Sequence, residues 1–341
     1  MKTKNKTAYF EWLRIFASAA VVLMHTAANQ WYHVPPESPR WAVLTYWDSL
    51  VRWPVPVFLM ITGALFLHRK TKWKYILLRY IPRVTAAWII WSAIHALYLH
   101  RTAMTTIHPY ETFLNGHYHL WYLPFLCGLY LTLPFLQKIA EDDRLTDQLI
   151  AVSFVVGMLV PWLGNAVKVL LPDKASTVSS LLNHIHYTFF FDLLTLPLLG
   201  HRLHQRELIA PQRRWIYTAG LLSAAVTGVA TVWLSRKYGT CCTLFFENNS
   251  PFTLCTAAAV FIFAKHNLTR LPRFVESLAK LSFGVYLSHA LVIEILADRE
   301  IHTMIWNPVW SVPVLAALIF AVCALGTALV RKIPVVGKYL T

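Results

Sequence analysis

The residues able to do chemistry in this chain sit inside or at the ends of long apolar stretches. Glu11, Arg14 and His25 share the first of these. An ionisable group in hydrocarbon is costly, so each is a functional candidate by default. At 100° per residue, Arg14 and His25 point from the same helix face, about 16 Å apart along its axis. Each also has a plainer reading. Arg14 could be a side chain snorkelling to the headgroups, and His25 a hydrogen-bonded packing residue. Arg79 and Arg83 open a later stretch at i and i+4, on one helix face. Two guanidiniums there suit phosphate through their fixed bidentate geometry, and they suit equally the role of a basic anchor at the membrane surface. His95, His119 and His289 fall at mid-membrane or outer depth with His25, but depth alone does not bring them together. No HExxH-type spacing occurs, so no metal is expected. There is also no GxSxG elbow or P-loop.

These residues must be held by membrane helices. Of 341 residues, 57% are hydrophobic and only 14% charged, against roughly 25% charged in soluble domains. The mean hydropathy is +0.48. A water-exposed fold of this composition would present large apolar patches, so the lipid bilayer is the expected solvent. The fold class expected is all-α: a polytopic integral membrane helical bundle of about ten transmembrane helices. The spans are placed near 11–29, 51–68, 82–99, 118–137, 149–171, 186–201, 215–234, 251–264, 278–297 and 309–330. No repeat or appended soluble domain is visible, so residues 1–341 read as one membrane domain. The longest outer connections fall at about Gln30–Leu50 and His100–His117. The five cysteines show no metal spacing, and the neighbours Cys241 and Cys242 are not expected to form a strained disulfide.

The net charge of +15 could suggest nucleic acid, but the basic residues alternate between loops instead of forming a stripe, and no nucleic-acid partner is expected. With the N-terminus inside, 23 of the 31 Lys and Arg residues face the cytoplasm. That bias predicts both termini in the cytoplasm and an even number of spans across a bacterial inner membrane. A cleavable leader ending at Ala28 is the competing reading of the N-terminus, and it would remove both Arg14 and His25.

Taken in order, these residues resemble a known pattern. Glu11-Trp12-Leu13-Arg14 followed by His25 is similar to the first helix of the membrane acyltransferase-3 family. The run Val55–Leu65 resembles its second helix, and Arg79 and Arg83 resemble its basic motif before the third. His119-Leu120-Trp121 resembles its His-x-Trp motif, and Tyr286-Leu287-Ser288-His289 its late Tyr-Leu-x-His motif. One departure is Leu78-Arg79, where many members carry Arg-Arg. The wording of the first two helices looks closest to the surface-polysaccharide O-acetyltransferase branch.

The resemblance implies transfer of an acyl group, usually acetyl, from cytoplasmic acyl-CoA to a hydroxyl of an envelope glycan or lipid-linked sugar. Arg14, Arg79 and Arg83 would hold the phosphates of acetyl-CoA or another acyl-CoA at the inner face. The spacing of about 16 Å to His25 is close to the reach of a pantetheine arm. His25 would act as general base, for which an unperturbed pKa near 6.5 is suited, or as a covalent acyl acceptor. Glu11 would fix the rotamer of Arg14 or Arg79. His119 would orient the acceptor or stabilise an oxyanion, with Trp121 and His289 binding substrate. The alternative function is a transporter or flippase of a small solute or lipid-linked sugar, which would also bury Arg and His at a midplane site.

Overall fold

The computed structural model describes residues 7–69, 71–102, 108–185, 194–333 and 337, and every regular element among them is helical. In chain order these are α1 (Ala8–Ala28), α2 (Pro39–Leu50), α3 (Pro54–Phe66), α4 (Ile81–Arg101), α5 (Pro109–Asn115) and α6 (Tyr122–Ile139). There follow α7 (Asp143–Ser153), α8 (Val160–Leu170), α9 (Ala175–Ile185), α10 (Thr195–Gln205) and α11 (Ala210–Tyr238). The last are α12 (Pro251–Asn267), α13 (Arg273–Ala279), α14 (Ser282–Asp298) and α15 (Pro308–Val330).

Local sequence explains many of the starts and stops. Ser38, Asp142, Ser250 and Asn307 each accept a hydrogen bond from a first-turn N–H of the following helix, satisfying donors that have no intrahelical partner. Pro39, Pro251 and Pro308 then occupy the first helical position, where a missing N–H costs nothing. Gly239, at φ +65°, ends α11 in the left-handed conformation that a glycine tolerates.

Five stretches are long and apolar enough to cross a membrane: α1, the α2–α3 unit, 143–170, α11 and α15. A sixth is the pair α13 and α14, bent by 56°. The expected spans at 82–99, 118–137 and 251–264 are present as α4, α6 and α12, but they are more polar or shorter than the six. The span expected at 186–201 lies partly outside the described residues; its described part is α10. Length and hydropathy thus support a multi-pass bundle without establishing ten spans. Residues 30–50, expected as an outer connection, contain α2 instead. The helix forms because Trp41, Leu44, Thr45 and Asp48 recur at helical spacing and are buried.

α1 is the central post. It packs against α2, α3, α12, α13, α14 and α15, while α4 packs on α5, α6 and α14. The tightest helix pair is α3 with α10. A Cβ on Gly63 would lie 1.8 Å from the Pro197 carbonyl oxygen, and one on Gly200 would lie 2.2 Å from that of Met60. Only glycine permits this backbone approach. On the periphery, α15 exposes Val314, Leu318, Val322, Leu325 and Leu329 along one stripe, a surface suited to lipid acyl chains.

Candidate functional site

α1 carries the candidate site along its length. Near its N-terminal end Arg14 Nη1 donates to Glu11 Oε1 at 2.7 Å, so of the two arginines expected as partners Glu11 pairs with Arg14. Glu11 is remote from the histidines and touches no group that could react with them. Ser18 Oγ lies 3.4 Å from the Ser282 carbonyl oxygen, tying α1 to the start of α14.

Three turns further on, His25 meets α14. Its Nδ1 is 2.7 Å from His289 Nε2, with the rings stacked at 5.0 Å. His289 is fully buried, and its Nδ1 donates to the Tyr286 carbonyl oxygen at 2.6 Å. This bond decides where the protons lie in the neutral pair. His289 Nε2 must then accept, so His25 Nδ1 donates, and His25 Nε2 keeps its lone pair. The Tyr118 ring packs edge-on to His25 at 5.2 Å. Tyr286 Oη donates to the His119 carbonyl oxygen at 2.6 Å, and the His119 ring stands 5.0 Å from that of His289. Five histidine and tyrosine side chains from three distant segments are thereby joined in one layer across α1, α14 and the turn before α6.

A cavity opens on each side of this layer. The smaller, called inner after the orientation expected from Lys and Arg, holds about 210 Å³ and is lined by Arg14 with Phe58, Phe66, Tyr122, Tyr130 and Tyr286. The outer one, of about 490 Å³, is lined by His25 with Tyr32, Asp48, Arg52, Tyr118 and Glu247. Asp48 and Arg52 form an ion pair at i and i+4, and the Arg52 guanidinium lies 3.9 Å over the Phe246 ring. Val21 belongs to the inner cavity and His25 to the outer. The two linings therefore come within four residues of each other along α1, about 6 Å of helix rise.

The remaining candidates divide. Arg83 lies 5.9 Å from the ring of Phe283, a residue of the inner cavity wall. Arg79 does not join it: Nη1 donates to Tyr75 Oη at 3.1 Å, and the guanidinium sits against that ring. Arg79 lies within a π-helical turn, Ile76–Tyr80, and Arg83 in the α-helix after it, which breaks the i, i+4 register expected of them. Trp121 is 42% exposed and packs on Tyr122 and Phe125, lining neither cavity. Tyr286, Tyr118, Asp48 and Arg52 were not among the expected site residues. Tyr286 is one turn before His289, and Asp48–Arg52 is an i, i+4 charge pair, so both carried a legible spacing signal.

A family model described as an acyltransferase domain matches residues 7–328. The chain belongs to the acyltransferase-3 family. The match covers both ends of the site, from the first helix with Arg14 and His25 to α14 with His289. No curated protein and no solved structure matches the chain. As a membrane acyltransferase it must bring an activated acyl group and a nucleophile to one point, and the seam between its two cavities is a place where that can happen.

Proposed function

We propose that this acyltransferase is an O-acyltransferase of the inner membrane, most simply an O-acetyltransferase, that moves an acyl group from cytoplasmic acyl-CoA to a hydroxyl of an envelope glycan or lipid-linked sugar. The carrying observation is the placement of His25 at the seam between two cavities of different character. The inner cavity is lined by aromatic and aliphatic side chains together with Arg14, which suits a pantetheine arm whose phosphates stay at the inner face beside Arg14 and Arg83. The outer cavity sets charged groups beside aromatic faces, which suits a sugar.

The chemistry follows from the hydrogen bonds. The acceptor hydroxyl enters from the outer cavity and gives its proton to His25 Nε2. Its oxygen attacks the thioester carbonyl presented from the inner cavity. The C–O ester bond forms, the C–S bond breaks, and the proton on His25 passes to the departing CoA sulfur. His289 holds His25 in the tautomer that can accept, and it can spread the positive charge that His25 gains.

Purified protein in proteoliposomes, given labelled acetyl-CoA and envelope glycan, should label the glycan. His25→Ala and His25→Gln should reduce the rate by at least about 10²-fold, the usual lower range for general-base catalysis, while still binding acyl-CoA. Transfer at near wild-type rate by either variant would move the chemistry to another residue. Acyl label retained on His25 when acceptor is withheld would replace the direct mechanism with a covalent one.

A further inference from the structure

Beside the catalytic layer lies a second histidine cluster that the proposed reaction does not use. His95 on α4 and His117 and His119 in the turn before α6 are all buried. One ring nitrogen from each falls within 4.8 Å of the other two. The His95 and His117 rings stack at 4.1 Å, and His119 stands edge-on to both. Glu294 of α14 backs the cluster. Its Oε1 is 2.5 Å from His117 Nε2, and its Oε2 is 3.5 Å from His95 Nδ1.

The protons in this cluster do not balance without a further cation. His117 Nε2 faces a carboxylate oxygen, and His119 Nε2 faces the Leu287 carbonyl oxygen at 3.3 Å. Both of those oxygens can only accept when Glu294 is ionised, so each Nε2 carries the hydrogen of its ring. That leaves His117 Nδ1 and His119 Nδ1 with bare lone pairs facing each other at 2.8 Å. One added proton could bridge those two nitrogens. It would still leave His95, whose Nε2 is buried without a hydrogen-bond partner among the described residues and whose Nδ1 has only the long contact to Glu294. A metal ion engages all three imidazoles together.

We propose that His95, His117 and His119 form a site for a divalent transition-metal ion, with Glu294 and the Leu287 carbonyl as the outer partners that orient the rings. An all-imidazole donor set selects zinc and its neighbours over magnesium or calcium. The arrangement of Glu294 behind His117 is the carboxylate–histidine–metal pattern in which the outer acceptor fixes the tautomer and raises ligand basicity. Zinc–nitrogen bonds of about 2.0–2.1 Å set nitrogen separations near 3.3 Å. Binding would open the facing Nδ1 pair slightly and draw His95 inward. The ion would pin the turn carrying His119 to α4 and α14, and so hold one wall of the layer in which His25 and His289 meet.

The test uses the full-length protein without a polyhistidine tag, purified in detergent and stripped with a chelator. Titration with zinc chloride should show one saturable equivalent per chain, measured by metal analysis after desalting. His95→Gln and His117→Gln should each lose that equivalent, whereas His33→Gln, in an exposed outer turn, should keep it. Cobalt substituted for zinc should give the intense visible bands of a tetrahedral nitrogen site. Stripping should lower the thermal unfolding midpoint of the wild type but not of His95→Gln, which keeps the test informative if a variant is only partly folded. No saturable equivalent in the wild type, or an equivalent that survives in His95→Gln, would overturn the site. Neither result bears on transfer by His25.

Discussion

At the scale of single residues, the site depends on a contact between positions 264 apart in sequence, His25 and His289. The spacing of Arg14 and His25 was legible because helix geometry alone fixes their common face. The meeting with His289 was not, because nothing local to either residue encodes which helices pack together. His289 touches His25 but lines neither cavity, so in the proposed mechanism it acts through His25. His289→Ala should therefore reduce kcat by about 10²–10⁴-fold, the span of general-base effects, and leave KM for acyl-CoA near the wild-type value. Steady-state kinetics separates the two parameters. A raised KM with kcat preserved would assign His289 to substrate binding and leave His25 oriented by something else. Trp121 shows the limit of motif spacing. Its neighbour His119 turns into the buried layer, while Trp121 itself packs outward on Phe125.

At the scale of elements, one proline explains why the basic pair at the third expected span came apart, and a second repeats the pattern elsewhere. A proline lacks the N–H that the carbonyl four residues earlier requires. Pro82 follows the π turn Ile76–Tyr80, and Pro161 follows the π turn Phe154–Leu159. A widened turn lets the orphaned carbonyl reach the next donor, and it rotates everything before it relative to the helix beyond. Arg79 lies within the first turn and Arg83 after it, so Arg83 reaches Phe283 while Arg79 pairs with Tyr75. Arg83→Ala should raise KM for acyl-CoA several-fold, and Arg79→Ala should have little effect. The Arg83 effect should shrink when the donor is an acyl-pantetheine without phosphates. Equal losses for phosphorylated and bare donors would remove Arg83 from the phosphate site. The sequence offered Leu78-Arg79 in place of a paired Arg-Arg, and of the two expected arginines it is Arg83 that lies beside a residue lining the Arg14 cavity.

At the scale of the whole molecule, composition alone made a multi-pass helical bundle legible, whereas the number of crossings was not. Hydropathy counts apolar residues, and some helices near the candidate site carry polar groups that lower it: α4 holds His95, Ser92 and Arg83. A bend of 56° also divides the α13–α14 pair that carries His289. The same polarity gives the molecule two unlike faces. The cavity lined by Arg14 and the Asp48–Arg52 cavity have different linings, and the linings meet α1 at different heights, Arg14 to Val21 for the first and Met24 to Asn29 for the second. In the proposed function the first side faces the cytoplasm, in line with the alternation of Lys and Arg. Reporter fusions at Thr71 and Leu208 should then report cytoplasm, and one at Glu37 the exterior. The sharper consequence is functional sidedness. CoA cannot cross a bilayer, so inverted membrane vesicles should transfer acyl groups from added acyl-CoA, and sealed right-side-out vesicles should not until they are permeabilised. The labelled glycan in inverted vesicles should be protected from an added esterase until detergent is present, because the acceptor cavity opens to the lumen. Transfer by right-side-out vesicles without permeabilisation would reverse the assignment of the two cavities. Product fully exposed to the esterase in inverted vesicles would mean that donor and acceptor enter from the same face, leaving the seam at His25 without its role between two compartments.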